Sequence, residues 1–141
     1  MATKSKRRET TNGAQAFFKT LADNGIDTVF GCPGTSEMQL IEELGHSDMK
    51  AVLGLQENVV TGMAHGYGVM SDKPSLALLH VACGVSNGLA NLHNGRRASA
   101  PIVLFAGGVA ADHEHNNPEH QMLLRPHEIA AGTINWIYDQ R

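Results

Sequence analysis

Residues 14–30, AQAFFKTLADNGIDTVF, open the part of the chain that decides its fold. Apolar residues recur there at helical spacing and predict a helix over 14–24, with Asn12 as its N-cap and Gly25 just past its end. The β-branched run that follows predicts a short strand over 26–30. A helix that leads directly into a buried strand is the unit from which α/β folds are built.

Short apolar runs and helical stretches alternate through the rest of the chain. Residues 31–34, GCPG, force a turn, and apolar spacing then predicts a helix over 36–44. The pattern continues with predicted strands over 51–55, 75–81 and 101–106 and predicted helices over 57–70 and 85–97. Strands that are apolar on both faces and alternate with helices form parallel sheets covered on both sides. We therefore predict an α/β fold, a doubly wound parallel sheet with helices on both faces.

The bulk composition excludes several classes of function. With 141 residues the chain has room for one domain, which we place at 12–141 after a flexible leader at 1–11. The net charge of −3 gives no basic field for nucleic acid, and no apolar run is long enough to span a membrane. Two cysteines, Cys32 and Cys83, do not make a disulfide framework, so we expect reduced thiols. The basic segment Lys4 to Arg8 is not followed by the apolar stretch of a signal peptide, so we expect a cytoplasmic protein.

Several polar residues fall where predicted strands end, which is the ligand-binding edge of a parallel sheet. The Pro33-Gly34 turn could bring bare backbone against a flat ligand, or could be an ordinary strand-to-helix turn. Glu57 could share a proton with a ring nitrogen, or could be a glutamate favoured by a helix N-terminus. His80 could transfer protons or could be a core histidine. Residues 109–128 are predicted to be a long functional loop, and its irregularly spaced histidines do not predict a metal site.

Three stretches carry a resemblance to a known family: FGCPGTSE at 30–37, LQENVVTGMAHGYGVMSDKP at 55–74, and LLHVACGVSNGLANLHNGRRASAPIVLFAGG at 78–108. In order and spacing they resemble the pyrimidine-binding (PYR) domain of thiamine-diphosphate-dependent enzymes, the group of acetolactate synthase and benzoylformate decarboxylase. The resemblance implies the fold of that domain and a function in decarboxylating or ligating 2-oxo acids.

The resemblance also implies roles for particular residues. Glu57 matches the glutamate that hydrogen-bonds N1′ of the aminopyrimidine and promotes deprotonation of the thiazolium C2, while His80 would relay protons. The cofactor-binding residues would be Pro33, Gly34, Glu57 and Asn87, and the substrate-side residues Thr35, His80 and Gln121. Thr35 departs from the family, which has a serine there. The Leu-His sequence at 79–80 favours the decarboxylase branch over acetolactate synthase.

One family motif is missing from the chain. No Gly-Asp-Gly sequence occurs, so the resemblance implies that the diphosphate and its Mg²⁺ are held by a separate diphosphate-binding (PP) domain or subunit. We therefore expect the isolated chain to be inactive and the PYR domain to be incomplete at its C-terminus, near 134–141, where another strand is expected to begin. The alternatives are a stand-alone α subunit of a two-subunit 2-oxo acid decarboxylase and a truncated, non-catalytic dimerisation module. Glycine-rich helices at 57–70 and 85–97 favour a homodimer or tetramer.

Overall fold

The computed structural model of the chain describes residues 12–108 and 126–137. The elements, in chain order, are α1 (Gly13–Asp23), β1 (Thr28–Cys32), a 3₁₀ turn (Thr35–Glu37), α2 (Met38–Leu44), β2 (Lys50–Leu53), α3 (Glu57–Ser71), β3 (Ser75–Leu79), α4 (Val81–Arg97), β4 (Ile102–Ala106) and α5 (Pro126–Ala130). Helices and strands alternate, as predicted.

The four described strands form one parallel sheet in the order β2-β1-β3-β4. Val29 of β1 pairs with Ala51 on one side and Leu76 on the other, so β1 is an inner strand. The chain moves from β1 outward to β2 and then returns across the sheet to β3. This reversal places a topological switch point between the carboxyl ends of β1 and β3, where open α/β sheets bind ligands.

Each face of the sheet carries its own apolar core, because successive strand residues point to opposite faces. On one face α1 and α2 contribute buried residues such as Phe18 and Leu40, which pack with Leu76 and Leu78. On the other face Val60 and Ala64 of α3 join the neighbouring strand residues. Helices therefore cover both faces, and the predicted fold class is confirmed.

The boundaries of α1 follow from its caps. The Asn12 side chain accepts a hydrogen bond from the Gln15 N–H at 2.9 Å, and Gly25 takes the positive φ of 78° that ends the helix. The Ile26 N–H still bonds back to the Leu21 carbonyl at 3.0 Å. Ile26 therefore belongs to the end of the helix, and β1 starts at Thr28, two residues later than the predicted 26–30.

The boundaries predicted around His80 also differ from the structure. The strand predicted over 75–81 ends at Leu79, and α4 begins at Val81 instead of residue 85. The Gly84 N–H donates to the His80 carbonyl at 2.7 Å, so the helical hydrogen bonds start immediately after His80.

The loop predicted over 109–128 is wrong at its end, because Pro126–Ala130 forms a helix, α5. The remainder of that loop, 109–125, lies outside the described residues, as does the predicted leader at 1–11. Residues 131–137 carry no strand, so the strand expected near 134–141 is absent from the part of it that the structure describes.

Glycines on α3 and α4 pack mainly inside this chain. A Cβ atom on Gly88 would lie 2.9 Å from Cγ2 of Thr61, and one on Gly62 would lie 2.9 Å from Nδ2 of Asn91, so both glycines allow the two helices to approach. Gly68 faces Pro101 in the same way, with its Cβ 3.1 Å from Cδ. Gly66 alone of these has open space around it. Most of these glycines therefore allow close packing within one chain, whereas their pattern in the sequence had indicated contacts between subunits.

The carboxyl end of β2 is lined by exposed apolar side chains. Leu53 is 70% exposed, Leu55 is 90% exposed, and Val59 in the first turn of α3 is 52% exposed.

Within the described residues, no helix combines the length and apolar character needed to cross a bilayer.

Candidate functional site

The loops after β1, β3 and β4 meet at one buried carboxylate, that of Glu37. Glu37 is 1% exposed, although it follows an exposed turn at the start of α2. Its Oε2 accepts the Gly34 N–H at 2.9 Å and its Oε1 accepts the Gly107 N–H at 3.0 Å. Nδ1 of His80 lies 2.9 Å from the same Oε2. A carboxyl group buried this deeply needs hydrogen-bond partners, and Glu37 has three.

Two glycines make room for this arrangement. A Cβ atom on Gly34 would lie 2.6 Å from Cγ of the His80 ring, and one on Gly107 would overlap Oε1 of Glu37. Real Cβ atoms do not approach other atoms so closely. The backbone of the Pro33-Gly34 turn therefore lies directly against the His80 imidazole.

The His80 side chain remains 24% exposed, so the ring reaches solvent at the edge of the sheet while its Nδ1 is turned inward to Glu37. The residue after it, Val81, is buried and has a φ of 42°. A β-branched residue with positive φ is strained by about 1–3 kcal/mol. Strained residues cluster at functional sites, and this one forms the sharp turn that presents His80.

Glu57 and Asn87 form a second group at the same edge. Glu57 is the first residue of α3 and is half-buried, and Gln56 caps the helix by accepting the Val59 N–H at 3.1 Å. Asn87, in the second turn of α4, donates from Nδ2 to Oε2 of Glu57 at 3.1 Å. Gly84 lets the start of α4 lie close to Glu57, since a Cβ atom on Gly84 would be 3.5 Å from Cγ of Glu57.

The pKa of Cys32, at the end of β1, is affected by the Glu57 carboxylate. Partial burial raises the pKa of the Cys32 thiol above its usual value, and the nearby Glu57 carboxylate raises the same pKa further. A raised pKa disfavours the thiolate, which is the nucleophilic form of cysteine.

The structure brings most of the predicted residues to one edge. Pro33, Gly34 and Thr35 follow β1, with Gly34 beside His80, and Glu57 lies against Asn87. Gln121 lies outside the described residues. Among the described residues, no group of three or more histidine, cysteine, aspartate or glutamate side chains could hold a metal ion.

Glu37 is the residue that sequence reasoning missed. It stands three residues after Gly34 at the start of a helix, the spacing at which a glutamate folds back onto the N-cap amide. The structure shows that backbone contact. The spacing could have indicated a local cap, but the contacts with His80 and Gly107 depend on the tertiary fold.

Comparison with known proteins gives consistent results. A family model described as "Thiamine pyrophosphate enzyme, N-terminal TPP binding domain" matches residues 11–130. A Mycobacterium tuberculosis protein named "Putative acetolactate synthase large subunit IlvX" is 47% identical over 89% of this chain and 24% of its own length. Benzoylformate decarboxylase of Pseudomonas aeruginosa is 37% identical over 65% of this chain and 17% of its own length.

A solved structure extends the similarity to the fold. The thiamine diphosphate-dependent 4-hydroxybenzoylformate decarboxylase of Rhodococcus jostii RHA1 superposes with a TM-score of 0.80 at 27% identity, covering 87% of this chain and 23% of that one. The chain thus spans about a quarter or less of the length of each of these proteins.

Proposed function

The chain belongs to the thiamine pyrophosphate enzymes, as their N-terminal TPP binding domain, and from this membership we propose that it is the pyrimidine-side half of an active site that decarboxylates or ligates 2-oxo acids. When bound, thiamine diphosphate supplies the carbon that attacks the keto group and accepts the electron pair released with carbon dioxide. The chain's own residues bind that cofactor, orient it and move protons.

The observation that carries this proposal is the Glu57–Asn87 pair. Asn87 occupies Oε2 of Glu57, and no hydrogen bond within the described residues uses Oε1. A half-buried carboxyl group with one oxygen held and one available fits a nitrogen heterocycle that needs a proton partner. Glu57 would hold a proton at the pyrimidine ring, and the Pro33-Gly34 backbone would border the same ligand.

His80 has the second role in the proposal. Its ring is partly exposed and held by Glu37, so it can exchange protons with a substrate at the edge of the sheet. Thr35 is exposed on the same turn and is the proposed substrate-side hydroxyl. We assign the diphosphate and its Mg²⁺ to a separate PP domain or subunit, and the complete enzyme to a homodimer or tetramer.

The proposal is tested by proton exchange at C2 of the cofactor in the complete enzyme that carries this chain. Glu57→Gln keeps the side-chain volume but removes the acid, so deuterium exchange, read by NMR after acid quench, should slow by about 10²–10⁴-fold. Glu42→Gln changes an exposed glutamate on α2 and should leave exchange unaltered. Exchange at the wild-type rate in Glu57→Gln would overturn the assignment.

Substrate class and completeness need separate assays. Carbon dioxide release from a panel of 2-oxo acids identifies the substrate of the complete enzyme. The purified 141-residue chain is expected to show no turnover, and turnover by it would contradict the split site. A complete assembly that associates but releases no carbon dioxide from any 2-oxo acid would instead support the non-catalytic dimerisation module.

A further inference from the structure

We infer that Glu37 is a positioning residue that holds His80 in the Nδ1–H tautomer, leaving Nε2 as the nitrogen that exchanges protons with substrate. The functional part of this inference rests on the proposed role of His80. The tautomer itself rests only on contacts within the described residues and can be measured without turnover.

The hydrogen-bonding capacity of Glu37 fixes the direction of its contact with His80. The Gly34 and Gly107 amides can only donate, and they use one lone pair on each carboxylate oxygen. An ionised carboxylate only accepts hydrogen bonds, so in the third contact the Nδ1–H group of His80 must be the donor. A neutral imidazole that carries its proton on Nδ1 has Nε2 free as an acceptor.

The surroundings prevent the ring from turning away from this partner. The Gly34 backbone lies against the ring on one side, and the strained Val81 fixes the backbone that carries it. Among the described residues no hydrogen bond holds Nε2. The partly exposed part of the ring is therefore the chemically available part, and Glu37 determines which nitrogen is presented.

Glu37 also ties three loops together. The contacts with His80 and Gly107 join residues 43 and 70 positions away in the sequence. The carboxylate thus places the imidazole relative to the Pro33-Gly34 turn and to the end of β4. A residue that acts only as a helix cap would need the Gly34 contact alone.

The tautomer is measured by ¹⁵N NMR of the chain labelled with ¹⁵N-histidine, at a pH of about 8, where an ordinary imidazole is neutral. The His80 signals are identified by their loss in His80→Gln. We expect a protonated Nδ1 and an unprotonated Nε2 in the wild type. A protonated Nε2 in the wild type would overturn the inference, and this result requires no variant of Glu37.

Glu37→Ala removes the acceptor and should shift the tautomer ratio of His80 toward Nε2–H. Glu42→Ala removes an exposed glutamate from α2 and should leave the ratio unchanged. Circular dichroism establishes that both variants are folded. An unchanged ratio in folded Glu37→Ala would show that another group selects the tautomer.

Kinetics of the complete enzyme separate this inference from the proposed function. Glu37→Ala should lower kcat by about 10–100-fold, the loss typical when the partner that orients a metal-binding histidine is removed. C2 exchange should stay near the wild-type rate because Glu57 is untouched. If His80→Ala turns over normally, the role of His80 fails and the tautomer result stands. If His80→Ala is inactive while wild-type His80 carries its proton on Nε2, the positioning inference is wrong but the proposed role of His80 stands.

Discussion

The imidazole of His80 lies against the Gly34 backbone so closely that a Cβ atom on Gly34 would come within 2.6 Å of the ring Cγ. Gly34→Ala must therefore displace either the ring or the turn. We expect a loss of about 1–3 kcal/mol in unfolding free energy, measured by urea denaturation, because overpacking a fitted site costs this much. The His80–Glu37 hydrogen bond should weaken at the same time.

Gly66→Ala is the matched control for that substitution. Gly66 is exposed in the middle of α3, and nothing lies within 4 Å of a Cβ placed there. The change should raise the unfolding free energy by up to about 1 kcal/mol, because alanine favours helix over glycine. Equal destabilisation by both substitutions would show that contact with His80 is not the cause.

Asn87→Ala tests the hydrogen bond that holds Glu57. Asn87 is exposed, so the unfolding free energy should change by no more than about 0.5 kcal/mol. Affinity for thiamine diphosphate should fall by about tenfold, or 1.4 kcal/mol, since Glu57 loses the partner that orients it. Calorimetric titration of the complete enzyme measures this change. Asn94→Ala, an exposed asparagine further along α4, should bind the cofactor as the wild type does.

Glu57→Gln should make Cys32 more reactive. The pKa of the Cys32 thiol is raised first by burial and second by the Glu57 charge. Removing that charge lowers the pKa, so more thiolate is present at a given pH and alkylation by iodoacetamide speeds up. Burial remains, so the thiol should still react more slowly than free cysteine.

The alkylation experiment is done in a Cys83→Ser background, so that a single thiol is followed. Its pH–rate profile should move to lower pH in Glu57→Gln and should stay in place in Glu42→Gln. A profile unaffected by Glu57→Gln would mean that the two side chains do not interact in solution.

Gly88→Ala tests the packing of α3 against α4. The added methyl group would lie 2.9 Å from Cγ2 of Thr61 and 3.1 Å from Cδ1 of Leu79, and a loss of about 1–3 kcal/mol in unfolding free energy is expected. Thr61→Ser removes the obstructing methyl group but keeps the hydroxyl that donates to the Gly88 carbonyl at 3.0 Å. The double variant should therefore lose less stability than the sum of the two single changes. Strict additivity would contradict the contact.

Local signals predicted much of the fold. Asn12 and Gly25 delimit α1 because capping depends on residues near one another in the chain. The strand at 75–79 was predicted from its continuous apolar run, but its end was placed too late because Val81 is apolar and yet begins a helix. An apolar residue at a strained turn looks like a strand residue in the sequence, so the end of the strand could not be predicted there.

The site was predictable where it coincides with motifs. Glu57 and Asn87 were proposed from the family resemblance, and the structure places them in contact. Glu37 was missed because two of its three partners come from distant parts of the chain, and their convergence depends on the order of strands β1, β3 and β4. Family motifs point to residues one at a time, whereas a buried carboxylate is identified by what surrounds it.

The exposed leucines at the end of β2 have a practical consequence for handling the chain. In the described structure β2 pairs only with β1, so its other edge offers free backbone groups beside Leu53 and Leu55. An apolar outer strand is a template for aggregation. The chain produced by itself should accordingly scatter light and precipitate as its concentration rises. Leu53→Lys, at the exposed end of β2, should extend the concentration range over which the chain stays in solution, because a charge on the outer strand opposes edge-to-edge pairing.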